Sequence, residues 1–213
     1  MTRSGRLIRS DHLGKLTGDG RDAMLAYGVA TVIDLRSPDE LVHTPNPFAA
    51  AAAAGMRYLH LPLIDDQNMR KLGESDDMLD RYLTIVEKRP AAFRDVFAAI
   101  AESDGGVLFH CFAGKDRTGL VAAMLLEMAG VGREHIADDY GATDLQLADQ
   151  YALWIAEAEP DRRAAFREEL HCPPERILGV LDHLDRRWGG VEGYLEAAGT
   201  HSRDLERLQT LLR

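Results

Sequence analysis

The stretch GGVLFHCFAGKDRTGLVAAMLLEMAG, residues 105–130, joins two apolar segments through a loop of Gly, Lys, Asp, Arg and Thr. Residues 105–110 open with glycines and continue as an unbroken apolar run, the pattern of a strand buried on both faces. Residues 118–130 are apolar all round and end at Gly130, the pattern of a buried helix. A buried strand feeding a buried helix is the repeating unit of an α/β domain with a covered, mainly parallel sheet.

Working outward, RLIRS (6–10), ATVIDL (30–35) and MRYLHLPL (56–63) read as further strands. Thr17 is placed to cap a helix that carries Ala23, Met24 and Tyr27 on one face and ends at Gly28. A short helix is expected from Phe48 through the alanine run to Gly55. Leu79, Tyr82, Leu83 and Val86 form one helical stripe, and Phe93, Val96, Phe97 and Ile100 form another behind Pro90. The final third is helix-rich. Leu145, Ala148, Tyr151, Ala152 and Ile155 predict one helix, Ile177, Leu178, Leu181, Leu184 and Trp188 a second, and 191–199 and 202–213 complete the chain. No repeat or linker divides the 213 residues, so one domain spanning 1–213 is expected: α/β, with a small, mainly parallel central sheet flanked by helices.

Composition excludes several functions. A formal charge of −10 disfavours nucleic acid and anionic membrane surfaces as partners. The basic N-terminus lacks the apolar core of a secretory signal, and no apolar run is long enough to span a bilayer. Two cysteines exclude a disulfide scaffold, and a cytoplasmic protein is predicted. His171 and Cys172 have no metal-ligand spacing with other His or Cys residues, so neither metal nor cofactor is expected. Cys172 reads as a buried thiol. Nothing in the sequence specifies an oligomeric state.

The loop HCFAGKDRTG (110–119) carries the chemistry. It is not a Walker A nucleotide loop, because no glycine stands four residues before Gly-Lys and Asp116 follows Lys115. Cys111, five residues, Arg117 and a helix opening at Thr118 suit a different use. The backbone N–H groups of Phe112, Ala113, Gly114 and Lys115 can curl around one phosphate, with the helix dipole pointing to the same place. A thiol there favours its thiolate form and becomes a nucleophile. Arg117 offers parallel donors to phosphate oxygens, Thr118 a hydroxyl for the sulfur as it leaves, Gly114 close backbone approach, and Lys115 an added positive charge. His110 is expected to orient the loop by hydrogen bonds. Asp34 and Arg36 are expected to orient Lys115 or enlarge the anion pocket, with a strand-end salt bridge as the alternative, and Glu40 is expected to pair with Arg36.

HCFAGKDRTG resembles the HCx5R signature of cysteine-dependent protein tyrosine phosphatases, in the HCxxGKDRTG form of a bacterial group of atypical phosphatases. GRLIRSDHL, TVIDLRSPDEL, YLHLPL and GGVEGYL are similar to that group's pattern in the same order. The resemblance implies a tyrosine-phosphatase-like fold and hydrolysis of phosphotyrosine through a cysteinyl-phosphate. Phosphoproteins or phosphoinositides would be the substrates. It also implies a carboxylic general acid, for which two residues compete. Asp65, in HLPLIDD with Asp66 beside it, matches the mobile-loop acid of the wider superfamily, and Asp116 matches the acid ahead of the loop Arg in myotubularin-type phosphatases.

Overall fold

The computed structural model describes residues 5–49, 56–65, 75 and 77–212. The alanine run beyond Ala49, Asp66 and most of 64–77 lie outside the described residues. Four strands, β1 (Leu7–Ser10), β2 (Val29–Asp34), β3 (Arg57–His60) and β4 (Gly106–His110), form one sheet in the order β1-β4-β2-β3, and every pairing is parallel. The register places Ser10 and Asp34 beside His110, and His60 beside Asp34. The carboxyl ends of all four strands therefore lie along one edge, where open parallel sheets place their sites.

Side chains alternate across this sheet as the strand period requires. Ile33, Val107 and Phe109 enter the larger core with the helices α3 (Met78–Lys88), α4 (Pro90–Glu102) and α5 (Asp116–Met128). Val32 and Leu108 point to a smaller core with Leu13, Phe48 and Met56. Every residue of β4 is buried, which explains its unbroken apolar sequence. One glycine-ended helix matches expectation closely. Helix α1 (Gly18–Tyr27) is capped by Thr17 and ends at Gly28 with φ of +94°, a left-handed conformation open to glycine.

The helical final third comprises α6 (Arg133–Gln146), α7 (Ala148–Glu157), α8 (Arg163–Leu170), α9 (Pro174–Trp188), α10 (Val191–Ala197) and α11 (Ser202–Leu212). Helix α9 packs on α3 and α6, and α11 on α4. The single helix expected through Leu145 and Ile155 is instead two, broken at Leu147. Leu145 ends α6 exposed to solvent, whereas Tyr151 in α7 is buried. The change of direction brings Trp154 of α7 against Phe112 of the loop, with ring centroids 6.1 Å apart. Strand β3 is shorter than expected: past His60 the chain keeps only isolated bonds, Leu61 N–H to Asp34 O and Leu63 N–H to Leu35 O. No helix of the described residues is long and apolar enough to cross a membrane.

Candidate active site

Cys111 follows β4 directly and is buried at the foot of the loop, and α5 begins at Asp116, two residues earlier than its apolar pattern suggests. Asp116 and Arg117 thus occupy the first helical turn. The loop's shape is set from outside by its carbonyls. Cys111 O accepts from His110 Nδ1 at 2.9 Å, Phe112 O from His12 N–H at 3.0 Å, and Gly114 O from Arg9 Nη2 at 2.7 Å. In a trans peptide the N–H points opposite to the C=O. The N–H groups of Phe112, Ala113 and Lys115 therefore face the hollow of the loop, as an anion cradle requires. Gly114 makes this possible: its φ is +68°, and a Cβ there would lie 2.5 Å from Ser10 O. Arg9 is itself anchored by Asp139 at 2.6 Å.

His110 is fully buried, and burial above all holds it below its ordinary pKa, so it is neutral. Its tautomer follows from its partners. A carbonyl only accepts, so Nδ1 carries the proton toward Cys111 O, and Nε2 accepts from Asn46 Nδ2 at 2.9 Å. Asn46 Oδ1 takes the Phe48 N–H, which fixes the amide orientation, and Nδ2 also donates to Asp34 Oδ2 at 2.8 Å. His110 is a loop support.

Asp34 and Arg36 are both fully buried and pair with each other through Nε to Oδ1 at 3.0 Å and Nη2 to Oδ2 at 2.7 Å. Burial pushes the Asp34 carboxyl up, but the hydrogen bonds from Arg36 and Asn46 and the Arg36 charge outweigh it and hold Asp34 below the usual carboxylate range. Of the two arrangements expected for these residues, the one observed is the strand-end salt bridge. Sealed from solvent, they brace the strand ends and, through Asn46, His110.

The partner of Glu40 is also corrected: it is Arg117, not Arg36. Glu40 Oε2 accepts from Arg117 Nη1 at 2.5 Å and Oε1 from Nη2 at 2.7 Å. Burial opposes ionisation of Glu40, and the Arg117 hydrogen bonds overcome it, keeping its pKa low; the same bonds, with the Cys111 and Asp116 charges, raise that of Arg117 despite burial. The carboxylate takes the Nη1–Nη2 edge of the guanidinium, and the Nε–Nη2 edge is the one that can grip two oxygens of a phosphate. Glu40 is placed by helix α2 (Pro38–His43), whose start is a capping box: Glu40 N–H donates to Ser37 Oγ, and Ser37 N–H to Glu40 Oε2 at 2.7 Å. The SPDE spelling is the sequence signal for this box, although not for its second partner.

Lys115 is buried, with Nζ donating to Glu169 O at 2.6 Å and lying 3.5 Å from Asp116 Oδ1. Asp116 Oδ1 also accepts from Tyr82 Oη. Asp65 accepts from Arg89 Nη1 at 2.8 Å. Thr118 is buried, and its Oγ1 has no hydrogen-bond partner among the described residues, so the bond expected to the cysteine sulfur is not made here. Phe112 is part-exposed at the rim, stacked 5.1 Å from His12 as well as against Trp154. Cys172 is a free, buried thiol; burial, partly offset by Lys115, pushes its pKa up to about 12, which makes it inert. The contacts of Arg9 with Gly114, Asn46 with His110, Tyr82 with Asp116 and Glu40 with Arg117 are the ones that reading along the chain missed.

The structure thus sets Cys111, buried, at the start of a loop whose carbonyls are held by His110, His12 and Arg9, ahead of an Arg117 that is held by Glu40. A model of the tyrosine phosphatase family matches residues 1–213, and the chain belongs to that family. It is a phosphoric monoester hydrolase of the tyrosine phosphatase type. A protein named tyrosine-protein phosphatase from Nostoc commune is 33% identical over 96% of this chain and 73% of its own length. The triple specificity protein phosphatase PtpB of Mycobacterium tuberculosis is 27% identical over 99% of this chain and 91% of its own. Among solved structures, P. aeruginosa TpbA aligns over 92% of this chain and 88% of its own, with a TM-score of 0.40 and 18% identity.

Proposed function

We propose that the protein removes phosphate from phosphotyrosyl side chains of proteins, with Cys111 as nucleophile, Arg117 and the loop amides as the phosphate clamp, and Asp116 as the proton donor. The Cys111 thiolate attacks phosphorus, forming the S–P bond as the P–O ester bond breaks. The departing phenolate takes a proton from Asp116. Water then attacks phosphorus, returns a proton to Asp116, and the S–P electron pair goes back to sulfur. The donors are already in place when charge develops on the equatorial oxygens, so the stabilisation is electrostatic preorganisation.

The observation that supports this reading is the anchoring of the carbonyls of Cys111, Phe112 and Gly114 by His110, His12 and Arg9, which leaves the N–H groups of the same peptides pointing the other way, as a phosphate cradle needs. For the acid, Asp116 lies in the loop itself, one residue before Arg117, while Asp65 is engaged by Arg89. For the substrate, the exposed edge of Phe112, whose ring is stacked between His12 and Trp154, offers an aromatic contact to a tyrosine ring. Phosphoinositides rank second, because the Lys115 ammonium that would answer extra headgroup charge is committed to Glu169 O and Asp116.

The test is phosphate release from a phosphotyrosyl peptide and from a phosphoinositide, side by side, with EDTA present. Wild type should prefer the peptide, and Cys111→Ser should abolish turnover while still binding it. Turnover that survives Cys111→Ser would sink the mechanism; preference for the lipid would reassign the substrate.

A further inference from the structure

We propose that Tyr82 and Tyr140 are a positioning pair that holds one oxygen of Asp116 fixed from inside the core, so that the other can give up and regain the catalytic proton. Both tyrosines are almost wholly buried, on α3 and α6 respectively. Tyr82 Oη donates to Asp116 Oδ1, and the two phenol oxygens are 2.8 Å apart. A phenol has a single proton, and an ionised carboxylate only accepts. The Tyr82 proton therefore goes to Asp116, and Tyr140 must donate to Tyr82, so the direction of the whole chain is set.

When Asp116 carries a proton on Oδ2, Oδ1 still accepts from Tyr82, and the same chain stands. The carboxyl group can change protonation state without turning. Packing alone does not explain these two hydroxyls. Their rings sit edge to face, 6.4 Å apart, inside the large hydrophobic core, where two phenylalanines would fill the same volume. Apart from Asp116, the two hydroxyls have only each other and the weakly hydrogen-bonding Cys172 thiol beside Tyr140 as side-chain partners among the described residues.

The titratable and charged groups around Asp116 are Lys115 and Arg117 from the loop, Tyr82, Tyr140, Tyr151 of α7 and Cys172 ahead of α9. Burial first, and then the Asp116 charge among other neighbours, pushes all three phenols far up, so they stay neutral and act as hydrogen-bond donors rather than acids.

The inference rests on Asp116 being the proton donor, and the experiment separates the two claims. The kcat/KM is measured against pH for wild type, Tyr82→Phe, Tyr140→Phe and Asp116→Asn, on a phosphotyrosyl peptide and on dinitrophenyl phosphate, whose leaving group needs no proton. Tyr82→Phe should lose about tenfold on the peptide and stay within about twofold on dinitrophenyl phosphate. Tyr140→Phe should show the same pattern with a smaller loss.

The dinitrophenyl phosphate rate also checks that each variant folds. If Tyr82→Phe matches wild type on both substrates, or falls equally on both, the positioning role is overturned while a leaving-group-selective loss in Asp116→Asn keeps the acid assignment standing. If Asp116→Asn falls equally on both substrates, the acid assignment fails and the positioning role with it.

Discussion

Glu40→Gln is the most discriminating single change at this site. The native carboxylate accepts from Arg117 Nη1 and Nη2 at 2.5 and 2.7 Å and from Ser37 N–H, three donors on two oxygens. Glutamine keeps the shape but has one acceptor oxygen, and its amide nitrogen meets Arg117 Nη2 in one orientation, or both Arg117 Nη1 and the Ser37 N–H in the other, donor against donor. At least one charge-assisted bond is lost, and each is worth about 1.5–3 kcal/mol. The pair is largely shielded, with 8% and 19% side-chain exposure, so solvent recovers little of this. If about 3 kcal/mol of Arg117 ordering is lost in the transition state, kcat/KM falls about 100-fold, at roughly 1.4 kcal/mol per decade. The assay is phosphate release from a phosphotyrosyl peptide, alongside denaturant unfolding to separate the weakened capping box from the catalytic effect. A Glu40→Gln enzyme within twofold of wild type would refute the claim that Glu40 readies Arg117. A faster enzyme with tighter phosphate inhibition would show instead that Glu40 competes with substrate for the guanidinium.

Two further changes test the scaffold. Gly114→Ala puts a Cβ 2.5 Å from Ser10 O at a φ of +68°, so strain of about 1–3 kcal/mol must be relieved by turning the loop carbonyls. Activity should fall by more than tenfold with a folded circular dichroism spectrum, and a fully active variant would contradict the amide cradle. Asp34→Asn strands the buried Arg36 and should cost about 3–5 kcal/mol in urea unfolding at neutral pH. Because the Asp34 pKa is lowered on folding, its contribution is present above the unfolded carboxylate pKa of about 4 and is lost as pH falls through the lower folded value. Asp34→Asn should therefore show a shallower loss of stability on acidification than wild type, and an unchanged acid slope would assign that loss to other groups.

The architecture and the reactive loop were legible for different reasons. Val29–Asp34 and Gly106–His110 are buried on both faces, so their apolar runs report the parallel sheet directly. Cys111, Gly114 and Arg117 were legible because one local turn fixes their spacing. What could not be read was which distant side chain meets the loop. Glu40 lies 77 residues from Arg117 and Tyr82 34 from Asp116, and those encounters depend on helix placement that no local period encodes. For Asp34 and Arg36 the sequence left a site role and a strand-end salt bridge open for the same reason, and the structure has them satisfy each other, fully buried. The break at Leu147 was hidden because Leu145 continues the helical stripe in sequence, yet it ends α6 on the exposed side.

The charges at the cradle nearly cancel in pairs, and this bears on what the site selects. Arg117 is met by Glu40 and Lys115 by Asp116. What remains uncompensated for an incoming phosphate dianion is the set of loop N–H dipoles and the amino end of α5. Those dipoles act over one or two bond lengths and reward shape, whereas free cations would reward total charge at a distance. In a body of charge −10, such a site gains little from further phosphates on the ligand and depends on fitting one phosphate group closely. The aromatic stack of His12, Phe112 and Trp154 at the rim then supplies the contact that the rest of the substrate can use. Selection by one well-fitted phosphate and one flat ring is what a phosphotyrosine enzyme requires.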